Sequence, residues 1–234
     1  VERVPEDGRK RGAAFRMPAE CPACDTPVQE SGPFTYCPNR FGCMAQLKRG
    51  LTHFGSRAGL DIEGLGEETA TLLVDRGLVK ELADLFELTA TQLEPLDGFA
   101  GTSAANLVRA IKDKKSVEFA RFLYGLGIPE VGSTIVATLA AEFLSFESLQ
   151  EATVEQLEAV DGVGPIISEQ IRAFLDDEQN RVRIAAVLGH MKNLLPPEQT
   201  GGTGLTGMRF VFTGGLERFS RSDAKRLIEE HGGR

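Results

Sequence analysis

The sequence predicts a mainly α-helical protein, with a small four-cysteine module ahead of an all-α domain and a short α/β segment at its end. Three observations carry this reading: a glycine-containing turn that recurs four times at a nearly fixed interval, two close cysteine pairs, and a strand, Thr-Gly turn and helix pattern after residue 204.

Taken in chain order, residues 1–18 carry Arg9, Lys10, Arg11 and Arg16 and read as the tail of a preceding domain. The chain starts at Val1 without a signal peptide's apolar segment, so it is expected to be a piece of a longer intracellular protein. No run of about 18 apolar residues is present, and no membrane partner is expected. The module over residues 19–57 holds Cys21-Pro-Ala-Cys24 and Cys37-x5-Cys43. Two such pairs can deliver four thiolates to one tetrahedral zinc ion, and four sulfurs leave no open position for catalysis. A structural zinc on Cys21, Cys24, Cys37 and Cys43 is expected, with two disulfides as the alternative in a secreted protein. Phe34, Tyr36 and Phe41 lie among these cysteines and are expected to pack against the metal core, with nucleobase stacking as the sharper alternative. After Cys43, Leu47, Leu51 and Phe54 fall at helical spacing, flanked by Lys48, Arg49 and Arg57. This helix is expected to couple the module to the repeats.

Residues 58–195 contain the repeat. Its copies are Gly64-Leu65-Gly66, Gly98-Phe99-Ala100, Glu130-Val131-Gly132 and Gly162-Val163-Gly164, and their central residues are 34, 32 and 32 apart. A short residue is read four positions beyond each central one, five in the first copy at Ala70. Apolar runs flank each turn, so each unit reads as helix, tight hairpin, helix. Glycine suits such a turn because the first N–H groups of the following helix are unpaired, and without a Cβ an anion can approach them. A phosphate fits both the amides and the helix dipole. A lone Gly-x-Gly also caps purely structural turns, whereas four in series match a nucleic-acid backbone that offers phosphates in series.

The pattern resembles the helix-hairpin-helix motif, a sequence-independent binder of the DNA backbone. Residues 62–74 follow it as Ile62-Glu63-Gly64-Leu65-Gly66, Ala70 and Leu73-Val74. The second copy has Ala100 in place of its last glycine and the third has Glu130 in place of its first. A carboxylate repels phosphate, so copies one, two and four are the expected contacts. The candidate DNA-binding residues are Gly64, Leu65, Gly66, Gly98, Phe99, Gly101, Gly132, Gly162, Val163 and Gly164, with the cations Lys112, Lys114, Lys115 and Arg121.

Charge qualifies this reading. The net charge is −8. Residues 1–57 carry 9 basic and 6 acidic groups, residues 58–199 carry 11 and 24, and residues 200–234 carry 6 and 4. The repeats are therefore the acidic part, and DNA contact there must rely on backbone amides and local cations, among which Arg172, Arg181 and Arg183 are further candidates.

Residues 196–203 have linker composition. In 204–234, Met208-Arg-Phe-Val-Phe-Thr213 reads as a buried strand, Thr213-Gly214-Gly215 as a turn, and a helix is expected from about Ser222, its N-cap, to Glu230. This half resembles the opening of a BRCT domain.

The order of parts is more specific than any one of them. Four cysteines, the stretch from Cys43-Met-Ala-Gln-Leu through His53-Phe54 and Ser56-Arg57 into Asp61-Ile62-Glu63-Gly64-Leu65-Gly66, four hairpins and a BRCT start together resemble the C-terminal half of bacterial NAD-dependent DNA ligases. Residues 1–18 then correspond to the tail of that family's OB-fold domain. The resemblance implies a cytoplasmic, nucleoid-associated enzyme that seals nicks during replication and repair, using NAD and magnesium in upstream adenylation and OB-fold domains of the same chain. It implies nicked duplex DNA as partner. The family's nucleophile sits in Lys-x-Asp-Gly, whereas here Pro95 precedes Asp97-Gly98 and Ala159 precedes Asp161-Gly162. No catalytic residue is expected in this fragment. A DNA-binding module of another repair protein and a protein-interaction scaffold are the alternatives.

Overall fold

The computed structural model describes residues 16–39, 42–197 and scattered positions between 205 and 233. The chain forms two compact units, 1–195 and 196–234.

The first unit begins with β1 (Gln29–Ser31) and β2 (Phe34–Tyr36), an antiparallel pair joined by Gly32 at φ 57°. Helix α1 (Met44–Phe54) follows directly from the last cysteine. Leu47, Leu51 and Phe54 are buried on one stripe of α1, as their spacing requires. They belong to the same hydrophobic core as the helices that follow. Those helices are α2 (Glu67–Asp75), α3 (Ala90–Leu93), α4 (Gly101–Asp113), α5 (Phe119–Leu126), α6 (Ser133–Phe143), α7 (Phe146–Glu151), α8 (Val154–Glu158), α9 (Pro165–Asp176) and α10 (Glu178–His190). A 3-10 segment, Leu82–Glu87, precedes α3. Two three-residue strands, β3 (Ser116–Glu118) and β4 (Asn193–Leu195), pair in parallel and tie the end of the helical region to its middle.

Close packing joins α1 to α5. A Cβ at Gly125 would lie 3.0 Å from the Phe54 ring, so the helices meet where a larger residue would not fit. The His53 ring stacks at a tilt on Tyr124, with Nε2 2.7 Å from the Tyr124 carbonyl. Edge-to-face aromatic pairs, Phe54 with Phe86 and Phe122 with Phe146, extend the core to either side.

The expected helix on both sides of every turn is found in reduced form. α3 and α8 span only 4 and 5 residues. Before the first turn, residues 55–60 leave α1 as a series of turns rather than as a helix of their own. Asp61 and Glu63 interrupt the apolar pattern there, and the chain must reverse between α1 and α2.

In the second unit, the expected strand at 208–213 is not paired among the described residues. Met208 and Val211 are 52% and 80% exposed. A strand becomes buried only against neighbours that satisfy its backbone, and none is among the described residues. Ser222, the expected N-cap, lies outside the described residues, whereas the Asp223 N–H donates to Ser220 Oγ at 3.1 Å. Ala224 is buried in this unit.

Candidate nucleic-acid interface and metal centre

The four turns share one backbone geometry. In each, the N–H of the central apolar residue donates to the carbonyl three residues earlier: Leu65 to Ile62 (3.2 Å), Phe99 to Leu96 (3.1 Å), Val131 to Ile128 (3.2 Å) and Val163 to Val160 (3.0 Å). The residue before the central one takes a positive φ: Gly64 86°, Gly98 82°, Glu130 61° and Gly162 86°. This is a type II turn, which demands a left-handed residue at its third position and so favours glycine. The next residue is extended and caps a helix, at Gly66, Ala100, Gly132 and Gly164. Its carbonyl accepts, at 2.9 Å in each case, from Ala70, Ala104, Val136 and Ser168, all buried. The short inward residue thus stands five positions beyond the central one in every copy. The offset of four read for the later copies is corrected: one residue fewer would turn the side chain about 100° away from the core.

Hydrogen bonds separate the turns. Gly66 and Gly164 cap their helices without a side-chain acceptor, and a Cβ at either would meet no protein atom within 4 Å. At the second turn, the Ala100 N–H donates to Ser103 Oγ at 2.8 Å, and the Ser103 hydroxyl donates back to the Ala100 carbonyl at 3.0 Å. One amide is therefore satisfied within the protein. The side chains of Leu65 and Val163 are buried, so these residues can offer an anion only their backbone. Phe99 is half-buried, while Gly64, Gly98, Gly101, Gly132 and Gly162 are exposed.

Three of the four candidate cations have partners inside the protein. Lys114 Nζ lies 3.5 Å from Asp61, and Arg121 lies 3.8 Å from the same carboxylate while donating to the Arg57 carbonyl at 2.7 Å. Lys115 sits over the Phe86 ring at 6.0 Å. Lys112 is exposed on α4. Arg172 donates to the carbonyls of Gln150 and Ala152 and pairs with Asp176, which makes it a brace between α7 and α9. A groove of 930 Å³ runs between the first two hairpins, lined by Asp61, Glu63, Glu68, Asp97 and Asp113 against Arg109 and Lys114. Sequence reasoning missed this groove because its carboxylates come from four separate segments.

The cysteine cluster is built from two backbone loops. The Asp25 N–H donates to the Cys21 carbonyl at 2.8 Å, with Asp25 left-handed at φ 56°, and the Cys43 N–H donates to the Asn39 carbonyl at 3.0 Å. These loops bring the four Sγ atoms within 4.8 Å of one another, with Cys21–Cys43 at 3.9 Å and Cys24–Cys37 at 3.6 Å. A metal–sulfur bond of about 2.3 Å implies a tetrahedral edge of about 3.8 Å, so the sulfurs have the dimensions of a thiolate-bound ion. The Thr26 side chain and backbone lower the Cys24 thiol to about 6, whereas burial pushes Cys37 up to about 11 and raises Cys43. His53 is occupied at Tyr124 and takes no part in the cluster. The aromatic expectation is corrected here: Phe34 and Tyr36 are exposed, at 73% and 47%. They are two residues apart on one short strand and share its outward face, whereas the cysteines themselves form the centre. Phe41 lies outside the described residues.

Comparison with known proteins agrees with the turns. Residues 58–113 match the SAM-like helix-hairpin-helix tandem and residues 121–184 match the helix-hairpin-helix motif. The chain is 41% identical over 225 residues to a DNA ligase of Natronomonas pharaonis, covering 96% of this chain and 32% of that protein. It is 40% identical to a DNA ligase of Desulfosudis oleivorans (97% and 34%) and 41% identical to one of Rubrobacter xylanophilus (100% and 34%). The chain spans about a third of the length of the relatives it matches. Halophilic archaea are prominent among these relatives, so the similarity is not confined to the bacterial proteins of the expected resemblance.

Proposed function

We propose that this chain is the DNA-gripping C-terminal portion of an NAD-dependent DNA ligase, acting on nicked duplex DNA at the nucleoid in replication and repair. The observation that carries this reading is the similarity of nearly the whole chain to ligases, through a region whose turns repeat one backbone geometry, glycine-capped in three of the four copies. The hairpins serve as four helix-hairpin-helix units, with the first and fourth as the main grips. At Gly66 a phosphate oxygen can approach the first-turn amides, and at Gly164 those on either side of Pro165, which has no N–H to offer; the helix dipole favours its charge at both. Sequence information plays no part, because amides read phosphate rather than base edges. Lys112 adds charge beside the hairpins, while Lys114, Lys115 and Arg121 contribute only by leaving their present partners. Residues 204–234 serve as the start of a BRCT domain.

Zinc is the proposed occupant of the cysteine cluster, held by Cys21, Cys24, Cys37 and Cys43, and it supplies folding energy rather than chemistry. Adenylation with NAD and magnesium belongs to the upstream domains. Asp97 and Asp161, which precede turn glycines, serve as hairpin residues, and Asp97 pairs with Arg76 at 3.1 Å.

A second reading, a protein-interaction scaffold, draws on the acidic groove between the first two hairpins. Binding of nicked duplex by Gly66→Ala and Gly164→Ala separates the two. Both residues have negative φ and open space, so the fold should be unaffected. On the ligase reading, each change weakens binding about tenfold through lost charge-assisted hydrogen bonds. Parent-like affinity with unchanged helicity would leave the hairpins as structural turns.

A further inference from the structure

The two short strands that close the helical region bring together cations from distant parts of the chain. Residues 58–199 hold 11 basic against 24 acidic groups, so cations gathered at one place there stand out against the charge of their surroundings. β3 and β4 pair in parallel, starting with Ser116 opposite Asn193. Lys115 and Lys192 stand one step before that pair, and the Lys192 N–H donates to the Lys115 carbonyl at 2.6 Å. The Asn193 N–H reaches the same carbonyl at 3.3 Å. Strand pairing thereby holds the two lysines side by side.

Like charges facing each other across a strand pair oppose the pairing. No carboxylate offsets them here, since neither ammonium has an acidic partner among the described residues. Glu87 faces His190 Nε2 at 3.7 Å, and Asp61 faces Lys114 and Arg121. Lys192 is exposed. Lys115 is half-buried, with its ammonium 6.0 Å from the centre of the Phe86 ring, the outer limit of a cation–π contact, so it is held there weakly. Neutral donors flank the lysines. Ser116 and Asn193 are exposed, and the Asn193 amide donates to Ser116 Oγ at 3.5 Å, which leaves the Ser116 hydroxyl hydrogen free to donate outward. Two ammoniums, a hydroxyl and an amide with no opposing carboxylate suit an oxyanion.

We propose that Lys115 and Lys192, with Ser116 and Asn193 beside them, form a side-chain contact for one backbone phosphate of duplex DNA, separate from the hairpin turns. This rests on the DNA-binding reading above, which supplies the polyanion. The contact works differently from a hairpin: there the amides are fixed by a turn, whereas here charge gathered by strand pairing draws the phosphate in. Lys192 meets it from the solvent side, and Lys115 reaches it by leaving the Phe86 ring. The bound phosphate removes the repulsion between the two lysines.

The experiment measures binding of nicked duplex to the whole chain against salt concentration, for Lys192→Gln, Lys192→Glu, Lys115→Gln and the control Lys80→Gln. The control removes the same charge from an exposed position ahead of the 3-10 segment. Lys192→Gln and Lys115→Gln should each weaken binding about three- to tenfold at about 0.1 M salt and flatten the log–log salt slope by about 0.9, one phosphate fewer. Lys192→Glu should weaken binding more than Lys192→Gln, while its melting temperature stays at or above the parent's, because a glutamate opposite Lys115 favours the strand pair. A role in the fold alone would not move binding and stability in opposite directions. Lys80→Gln should change affinity less than about twofold, because charges beyond the screening length act weakly. The proposal is overturned if both Lys192 variants bind like the parent at every salt concentration, or if Lys80→Gln weakens binding equally. Gly66→Ala and Gly164→Ala, measured alongside, distinguish the failures. If those weaken binding while the Lys192 variants match the parent, the hairpin reading stands and only the lysine pair falls. If the Lys192 variants weaken binding and the glycine variants do not, the lysine pair stands and the hairpin grip falls.

Discussion

The cysteine module and the hairpin region share one compact unit but are held by different forces. Around the cysteines, β1 and β2 have three residues each, Phe34 and Tyr36 face outward, and the buried groups at the centre are Cys21 and Cys43, with Cys24 and Cys37 half-buried beside them. In the hairpin region, helix after helix contributes to one continuous apolar core. A module of this size buries little apolar surface, so on the zinc reading its order depends on the ion that the sulfurs would hold. The hairpins can carry strained turns because the core over-determines them. α1 belongs to both regions: it begins at a cluster cysteine and ends in the core at Phe54.

The largest effect is expected from metal loss. Structural zinc contributes about 10–16 kcal/mol to finger-like peptides, so Cys37→Ser or chelation should unfold the segment from Cys21 to Cys43. α1 should stay helical, because Leu47, Leu51 and Phe54 are held by the core. Metal analysis with limited proteolysis checks this, and collapse of the whole helical signal would break the comparison. The converse change is Phe122→Ala. Phe122 is fully buried between helices, so truncation should cost about 3–5 kcal/mol through lost contacts and the cavity left behind. Denaturant unfolding followed by circular dichroism measures it, and the metal content of the still-folded protein should match the parent's.

The glycines of one hairpin sharpen the comparison further. Gly162 has φ 86°, so Gly162→Val forces a β-branched residue into the left-handed region at a cost of about 1–3 kcal/mol. Gly164, two residues on, has φ −98° and open space, so Gly164→Ala should change stability by less than about 0.5 kcal/mol. Thermal melts of the two variants should therefore separate clearly. If they melt together, strain does not distinguish the two positions.

Much of this architecture is legible in the sequence where a pattern is local. The period of the glycine turns, the stripe of Leu47, Leu51 and Phe54, and the proximity of the four cysteines all follow from spacing, because turns, helices and metal loops each depend on a few consecutive residues. What stays hidden depends on partners distant in the chain. Nothing near Arg121 shows that it donates to Arg57, 64 positions earlier, or that His53 reaches the Tyr124 carbonyl. Phe34 and Tyr36 look like core residues until the two-stranded hairpin is seen to have no layer against that face among the described residues. Ser103 is different, since a serine three residues after Ala100 is a local signal that the turn's amide has a partner at home.

The smallest expected effect concerns the cations beside the first hairpin. Asp61 is half-exposed at its side chain (53%) and faces Lys114 at 30% and Arg121 at 34%. Ion pairs this open to solvent contribute less than about 1 kcal/mol, so Asp61→Asn should leave stability nearly unchanged. Asparagine also tolerates the left-handed backbone of Asp61 (φ 55°), so the entry to the turn should keep its shape. The consequence lies in binding. With the carboxylate gone, Lys114 and Arg121 become available to a phosphate at the adjacent turn, and nicked duplex should bind a few-fold more tightly at low salt, the gain fading as salt screens it. If affinity is unchanged at all salt concentrations while the melt matches the parent's, Lys114 and Arg121 serve the fold alone, and the first hairpin grips DNA through its amides.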